Sequence, residues 1–160
     1  VIHQNFFSDR HTIDVFLVGC GNVGTELLSQ IAKQQPALLN RNVQLRVYGI
    51  ANSRKLLLNS QGIDLSQDWK PALDAASEGL SVERLQQFVD ENSLVNPVIV
   101  DCTSHDAIAQ QYVDMMENGF HVVTPNKKAN TSSLDYYRKL KKTALSTNRQ
   151  YLYELSLIHI

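Results

Sequence analysis

Val15-Phe16-Leu17-Val18-Gly19-Cys20-Gly21-Asn22-Val23-Gly24 sets the architecture of this chain. An unbroken apolar run reads as a buried strand, and a G-x-G-x-x-G turn follows it directly and opens a helical pattern. Gly19 allows a tight turn, Gly21 lets a diphosphate approach the backbone, and Gly24 lets the helix pack close to the strand. The start of that helix offers unpaired N–H groups and a partial positive charge to an anion. The motif alone is weak, because glycine turns also join strands to helices for structural reasons. Its strand–turn–helix context favours a dinucleotide site.

Beyond the turn, Val23, Leu27, Leu28 and Ile31 form a 3.6-period stripe, and Pro36 is expected beyond the helix end. A second strand spans about Leu45–Ile50 and closes in Ala51-Asn52-Ser53. From Arg54 to Asn96 the pattern is less regular. Leu56-Leu57-Leu58 reads as a short apolar excursion ending in a turn, and Trp69 to Ala76 as a short helix. Val82, Leu85, Phe88 and Val89 give an amphipathic helix, although Ser81 with Arg84 is not a capping box. Pro97–Cys102 is a buried strand with proline at its tolerated first position. Ser104 then caps a helix bearing Ile108, Tyr112, Met115 and Met116, which stops at Asn118-Gly119. Phe120–Thr124 is a further strand, Thr131 or Ser132 caps a helix through Leu134, Tyr137, Leu140 and Ala144, and Tyr151-Leu152-Tyr153 is the last strand. Strands alternating with helices predict an α/β fold, a doubly wound parallel sheet forming a Rossmann-like dinucleotide-binding domain.

Composition narrows the function. With 160 residues, 43% of them hydrophobic, the chain can bury one core. A net charge of −1 gives no support to a nucleic-acid or anionic-membrane surface. No apolar run is long enough for a membrane span. The opening Val1-Ile2-His3-Gln4-Asn5-Phe6-Phe7 lacks the features of a signal peptide, so a cytoplasmic location is expected, and the missing initiator Met suggests a piece of something longer. Cys20 and Cys102 are the only cysteines and read as two reduced, mostly buried thiols at strand ends. The histidines show no metal spacing, and no Ser–His–acid order, P-loop or paired carboxylate stands out.

Right-handed crossovers bring every strand's C-terminal end to one edge, where ligands bind at the point of strand-order reversal. The glycine loop, Ala51-Asn52-Ser53-Arg54, Asp101-Cys102-Thr103-Ser104 and Thr124-Pro125-Asn126-Lys127-Lys128 all fall there. An acid after the second strand would accept hydrogen bonds from a ribose 2′-OH, whereas an arginine accommodates a 2′-phosphate. This chain has no acid at that point, only Asn52, Ser53 and Arg54, which favours NADP over NAD. Thr103 is a candidate beside a nicotinamide ribose if its strand borders the first, with Ser104 mainly capping. Lys127, in a loop that Pro125 stiffens, is a candidate point charge for substrate or cofactor, whereas Lys128 reads as solvated.

Together, the segments 15–24, Gly-Ile-Ala-Asn-Ser-Arg (49–54), Pro-Val-Ile-Val-Asp-Cys-Thr-Ser (97–104) and Gly-Phe-His-Val-Val-Thr-Pro-Asn-Lys-Lys-Ala-Asn (119–130) resemble homoserine dehydrogenase. They are most similar to the dehydrogenase portion of the bifunctional aspartokinase/homoserine dehydrogenases, from about His3 to Glu154. The resemblance implies NAD(P)-dependent interconversion of homoserine and aspartate semialdehyde, a small-molecule substrate, and a homo-oligomer in the full-length parent. By position, it implies that Gly19, Gly21, Asn22, Val23 and Gly24 hold the diphosphate. Ala51 and Arg54 would lie by the adenosine ribose and Thr103 on the nicotinamide side. Lys127 would sit near nicotinamide and substrate in a catalytic role. It also gives residues 1–12 as a linker, 13–154 as the cofactor domain, and 155–160, which look like translated sequencing-adapter sequence, as a non-native tail. Two other readings remain open from the residues alone: a non-catalytic nucleotide-sensing module, and a methyltransferase with a similar glycine loop.

Overall fold

The computed structural model describes residues 11–103, 108, 110–124, 142, 146 and 151–152. At its centre is β1 (His11–Val18), longer at its start than the apolar run predicts. It runs through the glycine turn into α1 (Asn22–Asn40) and on to β2 (Val43–Ala51). There follow β3 (Leu56–Leu58), α2 (Lys70–Ala75), α3 (Val82–Asn92), β4 (Pro97–Asp101), α4 (Tyr112–Glu117), β5 (His121–Val123) and β6 (Tyr151–Leu152). The sheet order is β3-β2-β1-β4-β5-β6. Strand β1 pairs in parallel with β2 on one side and β4 on the other, so the winding reverses between β1 and β4.

The sheet is parallel except at one edge, where β3 runs antiparallel to β2. Only residues 52–55 separate them, too few for a crossover, so the apolar excursion returns as a hairpin. Asn52 makes the turn: its Oδ1 accepts from the Arg54 and Lys55 amides at 2.8 and 2.7 Å.

Helices cover both faces, and alternate residues of β1 divide between two cores. Val15 and Leu17 pack with Leu27, Leu28, Ile31 and Leu38 of α1 and Leu73 of α2. Phe16 and Val18 pack with Val82, Leu85, Phe88 and Val89 of α3 and with Tyr112, Met115 and Met116 of α4. The Phe16 ring meets Phe88 and Phe120 edge-on, with centroids 5.8 and 5.9 Å apart. A bulge makes room for it. Pairing passes from Val15↔Val47 to Phe16↔Gly49, skipping Tyr48, and a Cβ on Gly49 would come within 2.7 Å of the Phe16 ring.

Three expectations need correction or refinement. Pro36 lies inside α1 rather than beyond it, although it removes one helical donor. The helix continues because buried Leu38 fastens the turn after the proline to the core. Val23 is 52% exposed and is not part of the buried stripe, which consists of Gly24, Leu27, Leu28, Ile31 and Leu38. Ser81 does cap α3, its Oγ accepting from the Arg84 amide at 3.1 Å. The reciprocal side-chain bond is lacking, and Arg84 Nε instead donates to Glu78 at 2.7 Å. Ser104 and the helix expected over 131–144 lie outside the described residues, apart from isolated positions.

Candidate functional site

The site is built where β1, β2 and β4 end together. The Gly19 amide donates to Ala51 O at 2.8 Å, and the Cys102 amide donates to Val18 O at 2.7 Å. Gly19 has φ +99°, a conformation that disfavours any side chain. A Cβ there would also stand 2.9 Å from Thr103 N and Cγ2. At Gly24 a Cβ would fall 1.9 Å from Gly19 O, so only glycine lets the helix start this close to the turn. Gly21 differs, since a Cβ on it would meet nothing within 4 Å.

Gly21 is also the N-cap of α1, exposed and without a capping side chain. The Thr25 amide bonds to Gly21 O at 2.9 Å, the first bond of the helical ladder. The amides of Asn22, Val23 and Gly24 therefore precede any intrahelical acceptor. No acidic side chain stands in the first turn to oppose an anion. Two of these amides belong to exposed residues, Asn22 and Val23, next to the space at Gly21. Such a cradle fits a diphosphate.

The flanking loops divide the remaining candidates. Ala51 is buried at the tip of β2, and its carbonyl takes both the Gly19 amide and the Cys20 thiol, the latter at 3.3 Å. Arg54 is exposed beyond it, and among the described residues it has no ion-pair partner. Thr103 is half-buried on the other side of the glycine turn. These residues and the five of the turn are thus brought to one edge. Lys127 lies outside the described residues.

Sequence reasoning passed over one feature at this edge. Asp101, wholly buried at the end of β4, accepts from the Thr103 amide at 2.8 Å and from Thr103 Oγ1 at 2.6 Å. Tyr112 donates its hydroxyl to the other carboxyl oxygen. An acid closing the otherwise apolar run Pro97–Val100 was the available signal.

Both thiols are free, and both are held above the ordinary thiol value. Burial pushes Cys20 up to about 11, against a pull from Lys70. Burial, then the Asp101 and Cys20 charges, push Cys102 up to about 12. Among the described residues no His/Cys/Asp/Glu group could hold a metal, and no helix is long and apolar enough to cross a membrane.

The family model described as homoserine dehydrogenase, NAD binding domain, matches residues 19–154. The chain belongs to that family. It is 43% identical over 155 residues to the bifunctional aspartokinase/homoserine dehydrogenase of Haemophilus influenzae, covering 97% of this chain and 19% of that protein. Against a chloroplastic bifunctional enzyme of Zea mays it is 40% identical over 158 residues, with 97% and 17% covered. The chain therefore spans about a fifth of the length of these relatives. Among solved structures it is similar to a Candida auris protein of unknown function (TM-score 0.75, 25% identity, 91% of this chain and 39% of that one). A hyperthermophilic archaeal homoserine dehydrogenase in complex with NADPH shares the fold (TM-score 0.67, 24% identity, 91% and 44% covered). As a homoserine dehydrogenase NAD-binding domain, the chain is a dinucleotide-binding domain, which sets aside the methyltransferase reading.

Proposed function

We propose that residues 13–154 form the cofactor-binding part of an oxidoreductase that interconverts L-homoserine and L-aspartate 4-semialdehyde with NADP(H). The observation that carries this reading is the glycine turn, with its open space at Gly21 and orphan amides at a helix start where the sheet order reverses. Family membership and relatives named as homoserine dehydrogenases support the substrate pair.

In this proposal Gly19, Gly21, Asn22, Val23 and Gly24 hold the diphosphate. Exposed Val23 supports this, because its side chain serves no core. Ala51 and Arg54 flank the adenosine ribose. Arg54 supplies charge-assisted hydrogen bonds to a 2′-phosphate, a role that the lack of an acid after β2 supports. Thr103 lines the nicotinamide side, and Lys127 holds the substrate as a point charge. The bound cofactor supplies the hydride, while the protein orients it and shapes the surrounding charge.

Isothermal titration of the full-length protein with NADPH, NADH and S-adenosylmethionine tests the binding half of the proposal. NADPH is expected to bind most tightly, and binding of S-adenosylmethionine alone would end it. Homoserine-dependent NADP reduction tests the catalytic half. Cofactor binding without turnover would establish the nucleotide-sensing alternative instead.

A further inference from the structure

We infer that Asp101 and Tyr112 are positioning residues for the nicotinamide half of the cofactor, acting through Thr103. The inference rests on the cofactor reading above and assigns a task to a buried network that reading does not use.

A carboxyl group inside a sheet is costly unless its oxygens are hydrogen-bonded, and one imposed on an apolar strand calls for a purpose. Asp101 is fully buried, as are Tyr112 and Thr124. One carboxyl oxygen takes both the amide and the hydroxyl of Thr103, at 2.8 and 2.6 Å. The same contacts fix the main chain and the χ1 rotamer of that threonine. The other oxygen is held by the Tyr112 hydroxyl from α4. The Asp101 carbonyl accepts from Thr124 Oγ1 at 2.7 Å, and Thr124 directly precedes the segment leading to Lys127. Side chains from three parts of the chain thus converge on one residue.

What this hub restrains is the wall of the cradle. Thr103 N and Cγ2 stand 2.9 Å from the place a Cβ on Gly19 would take, so the Thr103 loop and the glycine turn are in mutual contact. A shift in Thr103 moves the surface beside β4, the side away from Ala51 and Arg54. A dinucleotide lying across the switch point has its adenosine half toward β2 and its nicotinamide half toward β4. Loosening the hub therefore affects one half of the ligand and spares the other.

The test compares a whole ligand with half of it. In the full-length protein, Asp101→Asn and Tyr112→Phe are titrated with NADPH and with 2′,5′-ADP, which lacks the nicotinamide half. Asp101→Asn is expected to weaken NADPH about tenfold, the loss typical of one hydrogen bond to a charged group. Tyr112→Phe should act in the same direction, about threefold, since one hydrogen bond to the carboxyl goes. Both should leave 2′,5′-ADP within about twofold of the unaltered protein, and both should change the fluorescence of bound reduced nicotinamide. Should Asp101→Asn not fold, Tyr112→Phe carries the test, because it removes only an oxygen. Equal weakening of both ligands, or lower thermal stability with NADPH affinity intact, overturns the inference. Failure of the unaltered protein to bind either ligand overturns the cofactor reading itself.

Discussion

Asp14 and Asp101 stand at opposite ends of the β1–β4 pairing, where Asp14 pairs with the first residue of β4 and Asp101 with the last of β1. Both are almost wholly buried, and each is held in a different way. Asp14 is clamped by the chain just before β4. It accepts from the Asn96 amide at 3.2 Å while its own amide donates to Asn96 O at 3.1 Å. Asn96 Nδ2 adds a bond to Thr12 O at 3.0 Å, so the Asp14 and Asn96 side chains each bond across to the other segment's backbone. At the other edge Asp101 is held largely by side-chain hydroxyls, beside a turn that leaves amides unpaired. The same residue type closes one end of the sheet and shapes the open end. Backbone donors suit the first task because their positions do not vary, and side-chain donors suit the second because they carry the restraint into a loop.

The largest expected effect lies within the open edge. Gly24→Ala places a Cβ 1.9 Å from the Gly19 carbonyl, an overlap with backbone that no rotamer relieves. It should destabilise the domain by about 3 kcal/mol or more in urea denaturation. Gly21→Ala meets nothing within 4 Å, at φ −76°, and should cost about 1 kcal/mol or less of stability. In the proposed site the same methyl takes space given to the diphosphate, so NADPH affinity should fall at least tenfold. Similar behaviour of the two variants would mean that the turn has one purpose rather than two.

Arg54→Ala comes next. It should weaken NADPH by about 1.5–3 kcal/mol, the range for hydrogen bonds to charged groups, and spare NADH. Equal losses for both cofactors would show that Arg54 does not read the 2′-phosphate.

Much of this geometry was legible from residue order. The run Val15–Val18 ahead of the glycines, the buried strand from Pro97 and the 3.6-period pattern of Val82, Leu85, Phe88 and Val89 each carry a local signal, and each forms as expected. The misses share a cause, since each depends on partners far along the chain. Pro36 stays helical because the core holds Leu38, and Leu56–Leu58 becomes a strand because the edge of β2 is available. Asp101 looked like part of a polar loop, since the tyrosine that holds it is eleven residues further on. The candidate site followed the same rule: its glycines were visible in one motif, whereas its supporting network appears only after folding.

Ser81→Ala separates local stability from the site. The hydroxyl caps α3, Ser81 is not among the residues assigned to the cradle, and loss of the cap should cost about 1 kcal/mol with NADPH affinity unchanged. A change in cofactor binding would show that the mouth of α3 is coupled to the open edge.

The smallest expected effect belongs to the closed edge and is read as a slope. Burial raises the Asp14 pKa above the usual carboxylate value, opposed by the Asn96 and Val95 amides and by Arg46. A group whose pKa is higher folded than unfolded contributes stability that is fully present below the unfolded pKa and lost as pH rises through the folded one. The ionised carboxyl is thus a burden at neutral pH that the clamp only partly offsets. Asp14→Asn keeps an oxygen for the Asn96 amide and removes the titration. Its stability relative to the unaltered protein should therefore be highest near pH 7 and decline toward acid, levelling off only below the ordinary value of 3.8, where Asp14 becomes protonated in both states. The offset between the two proteins depends on how well the amide fits, so the pH dependence of that offset is the informative quantity. Urea denaturation across this range measures it. A difference that stays flat, or that moves in favour of the aspartate as pH rises, would mean that the backbone clamp outweighs burial and that Asp14 is a net ionic lock.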